Sequence, residues 1–307
     1  MKDDQASLTA LTVLQGILAT AKNPEYQHLV SEEEKAFYIH ILESSKAGQK
    51  KLRQLRSPLQ HKILRLAESL LMPGISLHYI LRKRFIEKEV RGAIKDGYNQ
   101  IISLGAGFDS LCWRLSNEHT DLSFIEIDHP ESSALKQEAL KRFGDINNNI
   151  SFLKVDFSER TLFDTLQHSP SFQSEKRTLF ICEGVMMYLN STDVSVLMES
   201  VSQLGGENSQ FIFTAVEPLS SVNNNTGKLL KLVLHFMSEP LNWTIEATNT
   251  KYWVNQHHYN LAALATYETF KQQFLTPSDM TKLHRGEFVV VAQPNSSASI
   301  QENTYAG

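Results

Sequence analysis

The sequence predicts an α/β fold: a mostly parallel, doubly wound sheet of seven strands with helices on both faces. Three observations carry this. The first hundred residues have helical periodicity. After Gly97 short apolar runs alternate with helical patterns. Four of the first five runs end on a glycine or an acid, at Gly105, Asp128, Asp156 and Glu183. In a parallel sheet with right-handed crossovers all these ends reach one edge, where ligands bind.

Each element has its own signal. Leu8, Leu11, Leu14, Leu18 and Ala21 mark one face of a first helix. Ser31 before Glu32, Glu33 and Glu34 reads as a capped helix start with acids in its first turn. A helix from about Leu59 to Leu71 stops at Pro73-Gly74, and a longer one follows to Ile94. The strands expected next are Gln100–Leu104, Leu122–Ile127, Ile150–Val155, Thr178–Cys182 and Gln210–Thr214, with helices over Pro130–Phe143 and Thr192–Leu204 between them. Residues 220–255 break the alternation. They hold Asn223-Asn224-Asn225, an amphipathic stretch Leu229–Met237, Trp243 and Trp253, and read as an insertion over the sheet edge. Strands at Tyr259–Ala265 and Phe288–Ala292 complete the sheet, and the polar residues 293–307 read as a disordered tail. The expected organisation is a helical cap over 1–96, a sheet domain over 97–292 with its lid, and the tail.

Composition excludes several classes. The chain of 307 residues is 41% apolar and 21% charged, and long enough to bury a full core without staples. Thirty basic against 34 acidic side chains, net -4, speak against a broadly basic nucleic-acid binder. The two cysteines, Cys112 and Cys182, cannot form a disulfide framework or a four-cysteine zinc site, and are expected as buried fillers. No metal site is expected. No secretory signal and no run long enough to span a bilayer is seen, so the expected setting is the cytoplasm, with no membrane partner. One charge run stands out: Lys46, Lys50, Lys51, Arg53, Arg56, Lys62 and Arg65, with no acid between them. A solvated helix face is the plain reading, and a lid that attracts an anionic substrate the alternative.

The chemistry-bearing stretch is Leu104-Gly105-Ala106-Gly107-Phe108-Asp109-Ser110. Its glycines allow a tight turn and close approach to a ligand. A dinucleotide fingerprint would need a third glycine where Ser110 stands, and Asp109 would repel a pyrophosphate. A phosphate-free cofactor carrying a sulfonium and an amino group fits better. Asp128 suits a ribose, and Asp156 with Phe157 suits an adenine.

These stretches, together with Phe124-Ile125-Glu126-Ile127-Asp128-His129-Pro130 and Glu183-Gly184-Val185-Met186-Met187-Tyr188-Leu189, resemble the leucine carboxyl methyltransferase family. Arg82-Lys83-Arg84-Phe85 and Gly286-Glu287-Phe288-Val289-Val290 extend the resemblance over about residues 75–292. It implies a Rossmann-like class I methyltransferase fold and S-adenosylmethionine as cofactor, with S-adenosylhomocysteine as product. It implies that Arg82 pairs with the methionine carboxylate, with Arg84 the alternative. Gly105 and Gly107 would touch the methionine moiety, Asp128 the ribose, and Asp156 with the Phe157 amide the adenine. Glu183 would border the reacting centre, with Tyr188 lining it. The family commonly has Arg-Thr where this chain has Arg82-Lys83, Asp-Thr for Asp109-Ser110, and Asp-Leu for Asp156-Phe157. His129, His257 and His258 qualify as general bases by residue type alone. The expected function is methyl transfer to a carboxylate or hydroxyl of a small acceptor, with the basic run favouring an anionic one. The alternatives are a nicotinamide oxidoreductase and a non-catalytic module that binds the same cofactor.

Overall fold

The structure, a computed structural model, describes residues 8–144, 146–157, 160–227, 241–277, 279 and 281–295. Five helices come first: α1 Leu8–Thr20, α2 Glu32–Glu43, α3 Lys46–Arg56, α4 Pro58–Leu71 and α5 Ile75–Lys95. The alternating part follows as β1 Gln100–Leu104, α6 Leu111–Glu118, β2 Ser123–Asp128, α7 Pro130–Phe143, β3 Ile150–Lys154, α8 Leu162–Leu166, β4 Thr178–Cys182, α9 Ser191–Gly205 and β5 Ser209–Val216. After the insertion come α10 Thr250–Gln256, β6 Tyr259–Ala265, α11 Tyr267–Phe274 and β7 Glu287–Pro294.

Local chemistry explains the helix starts. Ser31 and Glu34 form a reciprocal capping box: the Ser31 hydroxyl accepts from the Glu34 amide at 3.1 Å, and the Glu34 carboxylate accepts from the Ser31 amide at 3.0 Å. Gly74 enters α5 with φ of 76°, and a Cβ there would lie 2.0 Å from the Lys282 carbonyl oxygen.

The sheet order is β3-β2-β1-β4-β5-β7-β6. The pairs from β3 to β5 are parallel, while β7 runs antiparallel to both β5 and β6. Strand order reverses between β1 and β4, the switch point at which such sheets bind ligands. Because β7 is reversed, its first residue, Glu287, pairs with Val216 at the edge where the parallel strands end.

Both faces of the sheet are buried, with successive residues facing opposite ways. Ile101, Phe124, Leu179 and Ile212 pack under the N-terminal helices with Phe37, Leu81 and Trp113. Ile102, Ile125, Phe180 and Phe211 pack on the other face with Leu166, Met198 and Trp243. The first five helices thus share a core with the sheet.

The expected elements are present with shifted ends. β5 runs two residues past Thr214. β7 takes in Gln293 and Pro294, expected in the tail; they pair with Asn260 and Tyr259. The insertion is tied over the sheet edge, with the Asn242 and Trp243 amides donating to the Met187 carbonyl and the Ile245 amide to that of Val216. The amphipathic stretch Leu229–Met237 and the tail from residue 296 lie outside the described residues. Among the described residues no helix is long and apolar enough to cross a membrane. The basic run occupies α3 and α4.

Candidate active site

The switch point is built from turns that only particular residues can make. Gly105 has φ of 61° and Gly107 of 49°. A Cβ on Gly105 would lie 2.3 Å from Cγ2 of Val185, so the turn after β1 touches the turn after β4. The Gly107 amide donates to Oδ2 of Asp128 at 2.7 Å, and the His129 amide donates to Oδ1 at 2.7 Å. Asp128 is therefore fixed by two backbone donors at the tip of β2. Burial raises its pKa, and the two amides and Lys136 oppose that rise. Beneath it Glu126 and Lys136 form a buried ion pair at 2.6 Å. Burial pushes the Glu126 carboxyl up to about 7, against the pull of Lys136.

Beyond β3, the Val155 amide donates to the Asp128 carbonyl at 2.9 Å, which seats the next turn beside Asp128. Asp156 follows, with Oδ2 3.7 Å from Nε2 of His129. Phe157 lines a cavity of about 300 Å³ together with Leu104, Leu162, Cys182, Val185 and Leu189. That cavity opens between the ends of β1, β3 and β4, and its lining is chiefly apolar.

On the other side of the Gly105 turn lies a dense ionic cluster. Arg82, only 5% exposed, bridges two carboxylates. Its Nε and Nη2 donate to Oε1 of Glu183 at 2.8 and 2.6 Å. Its Nη1 donates to both oxygens of Glu287 at 2.7 and 2.6 Å. Nε2 of His78 lies 2.9 Å from the same carboxylate. Burial alone would raise the Glu287 pKa; the Arg82 guanidinium, with His78, more than offsets this and holds it well below the carboxylate range. Lys83 donates to Asp109 at 2.8 Å and to Glu183 at 3.2 Å. Burial opposes charge on Asp109, but Lys83 outweighs it and the pKa falls. His284 beside His78 is pushed down to about 3 by burial and by that neighbour, and is neutral at ordinary pH.

The sequence-expected residues Arg82, Gly105, Gly107, Asp128, Asp156, Phe157, Glu183 and Tyr188 all fall on this edge or on α5 beside it. Tyr188 ends a single helical turn, Met186–Tyr188, after β4. Of the two arginines, Arg82 reaches the site. Arg84 turns away, to Glu34 on α2 and Glu87 on α5. Arg82 already has both edges of its guanidinium engaged, so a ligand carboxylate here would join or displace Glu183. His129 is at the site. His257 and His258 are not: they precede β6, whose first residue pairs with Pro294 at the opposite edge of the sheet. His257 instead contacts the Trp253 carbonyl and Ser195. Both cysteines are buried, and burial pushes the Cys182 thiol up to about 12. Among the described residues no three His, Cys, Asp or Glu side chains are grouped to hold a metal.

Three residues escaped the sequence reading. Lys83 stood out only as a departure from Arg-Thr. Glu287 lay in a matching stretch without a role. Glu217 follows β5 as the other acids follow β2 and β4, but the fifth strand was expected to end at Thr214. It is 2% exposed, and its Oε1 accepts from the Ala247 amide at 3.0 Å, tying the insertion down.

Comparison with known proteins gives the chain's family and fold. Residues 19–202 match the leucine carboxyl methyltransferase family. A probable leucine carboxyl methyltransferase 1 of Caenorhabditis briggsae is 30% identical over 161 residues, 45% of this chain and 49% of that one. A putative S-adenosyl-L-methionine-dependent methyltransferase of Bacillus subtilis, YktD, is 28% identical over 144 residues, 47% and 43% of the two chains. The chain thus spans about half the length of the curated relatives it matches. Among solved structures, a putative methyltransferase from Thermobifida fusca superposes with a TM-score of 0.58 at 11% identity, covering 84% of this chain and 94% of that one, which shows the class I methyltransferase fold. With the family match covering more than half of its length, the chain belongs to the leucine carboxyl methyltransferase family.

Proposed function

We propose that the protein is an S-adenosylmethionine-dependent O-methyltransferase that methylates a carboxylate, or failing that a hydroxyl, of a small acceptor. The observation that carries this is the convergence of the turns bearing Gly105, Gly107, Asp128, Asp156 and Glu183 on one sheet edge at the switch point, where a chiefly apolar cavity opens beside Phe157. The residues fit the cofactor. Gly105 and Gly107 make the left-handed turn at the end of β1, Asp128 is aimed by two amides, and the cavity beside Phe157 suits an adenine ring. Asp109, Asp128, Glu183, Glu217 and Glu287 outnumber Arg82 and Lys83, so the edge carries the negative charge that complements a sulfonium.

Roles follow from placement. Asp128 accepts from the ribose hydroxyls, Asp156 and the Phe157 amide hold the adenine, and Gly105 and Gly107 permit close approach of the methionine chain. Arg82 and Lys83 supply cations for its carboxylate. The cofactor supplies an activated methyl group, so the protein has to align an acceptor oxygen and exclude water. Glu183 and Tyr188 border that centre. Glu183 has both oxygens engaged by Arg82 and Lys83 and is poorly placed to take a proton. This favours an acceptor already ionised, a carboxylate, which needs no general base.

Calorimetric titration with S-adenosylhomocysteine, with NAD as control, tests the reading. We expect micromolar binding that weakens at least tenfold in Asp128→Asn, and none with NAD. Absence of binding to the wild type, or binding of NAD instead, would sink it. Alkaline hydrolysis of the methylated product then separates ester from ether: release of methanol assigns a carboxylate acceptor.

A further inference from the structure

We propose that α4, with the basic helix α3 before it, seats the protein on an anionic lipid surface. The starting observation is the orientation of α4. Its side chains His61, Leu64, Glu68 and Leu71 are half-buried against the protein, three or four residues apart on one face. Glu68 fixes that face: its carboxylate accepts from the Ser76 amide at 3.2 Å and the Ser76 hydroxyl at 2.8 Å, at the start of α5. A second apolar row, Leu59, Ile63, Leu66 and Leu70, is therefore turned outward. These four are 69%, 57%, 61% and 63% exposed, and no residue of α4 is fully buried. They recur at the spacing of one helix face along about 16 Å of helix. Four large aliphatic side chains in one outward row mark an interaction surface rather than scattered surface apolars.

Charge says what that surface meets. Lys62 edges the apolar row and Arg65 is exposed farther round α4, while Lys46, Lys50, Arg53 and Arg56 on α3 are also exposed, Arg56 lying 3.8 Å from Glu43. No acid lies between Lys46 and Arg65, while the whole chain is net negative at -4. Exposed positive charge thus lies on α4 itself and on the helix before it, and an anionic surface attracts this part of the chain while repelling the net-negative remainder. An outward aliphatic face flanked by lysine and arginine is the pattern of a helix lying in a membrane interface. The aliphatic groups enter the acyl boundary and the long basic side chains reach the head groups. The sequence led us to expect no membrane partner; the structure narrows that to the absence of a spanning helix among the described residues.

Co-sedimentation of the full chain with phosphatidylcholine vesicles, with and without phosphatidylglycerol, tests this. We expect binding only to the anionic vesicles, weakened by added salt. Ile63→Asp with Leu66→Asp should reduce binding by roughly tenfold or more per site, since each removes an aliphatic group from the acyl boundary. Thermal unfolding of this variant without vesicles should match the wild type. Four outcomes would overturn the proposal: no binding to anionic vesicles, equal binding to neutral ones, a variant already destabilised in solution, or a wild-type dimer that the variant dissociates. The third would mean that the row is packed by the chain itself. The fourth would mean that a second copy covers it.

Discussion

Arg82 holds three parts of the chain with one side chain. It stands on α5, takes Glu183 after β4 on one edge, and takes Glu287 of β7 on the other. Removing one partner of a buried ion pair is costly because the other charge stays desolvated. Glu287→Gln should therefore lose about 3 kcal/mol in urea unfolding; an unchanged midpoint would mean the pair adds nothing to stability. Gly105 is constrained differently, by its φ and by Val185. Gly105→Ala should cost about 1–2 kcal/mol for the left-handed backbone alone, and the overlap with Val185 adds to this. Val185→Ala in the same chain should recover the overlap part and leave the backbone part; full recovery would show that the backbone strain was misjudged. At this scale the positions of Gly105, Asp128 and Glu183 were legible because each stands at or directly after the end of a strand, where the fold fixes the address. Lys83, Glu217 and Glu287 were less so. Their meaning rests on partners across the fold, such as Arg82 and Glu287, separated by 205 positions.

At the scale of elements, alternation identified every strand but not its direction. Phe288–Val291 is apolar on both faces, so it reads the same whether parallel or antiparallel. Only pairing with β5 and β6 reveals that β7 is reversed. The end of β5 was missed because Ala215 and Val216 lead directly into an acid, and no turn residue precedes Glu217. The start of α2 was read correctly because a capping box is a local motif. Ser31→Ala should cost about 1 kcal/mol, measured by thermal or urea unfolding. A loss well above that would show that Glu34, released from the cap, also weakens its pairing with Arg84 and Arg114.

Across the whole molecule, buried charge ties the N-terminal helices to one another and to α6. Glu34 and Glu87 face Arg84 and Arg114, and Arg91 joins Glu87 to Glu118. Burial would raise Glu87, but Arg114 and Arg84 outweigh it and bring it down to about 2. Carboxyls lowered on folding, here Glu87, Glu287 and Asp109, give stability that is full above about pH 4.5 and lost as the pH falls through their folded values. Glu126, raised to about 7, has the opposite sign. Its contribution is full below about pH 4.5 and lost as the pH rises through about 7. Urea midpoints should therefore peak near pH 4.5, falling on an acid limb below it and on an alkaline limb between about pH 4.5 and 7. Glu126→Gln should flatten the alkaline limb; an alkaline limb unchanged in that variant would remove Glu126 as its cause.

The reversed strand at the sheet edge also sets an order of events during synthesis. Residues 75–216 can emerge from a ribosome and form the parallel strands with α5 against them. Glu287 leaves the exit tunnel only later. Until it does, Arg82 has Glu183 but lacks the carboxylate on its other edge. A nascent chain therefore carries a half-neutralised arginine beside the turn after β4, and this edge of the sheet matures only when the final strand docks.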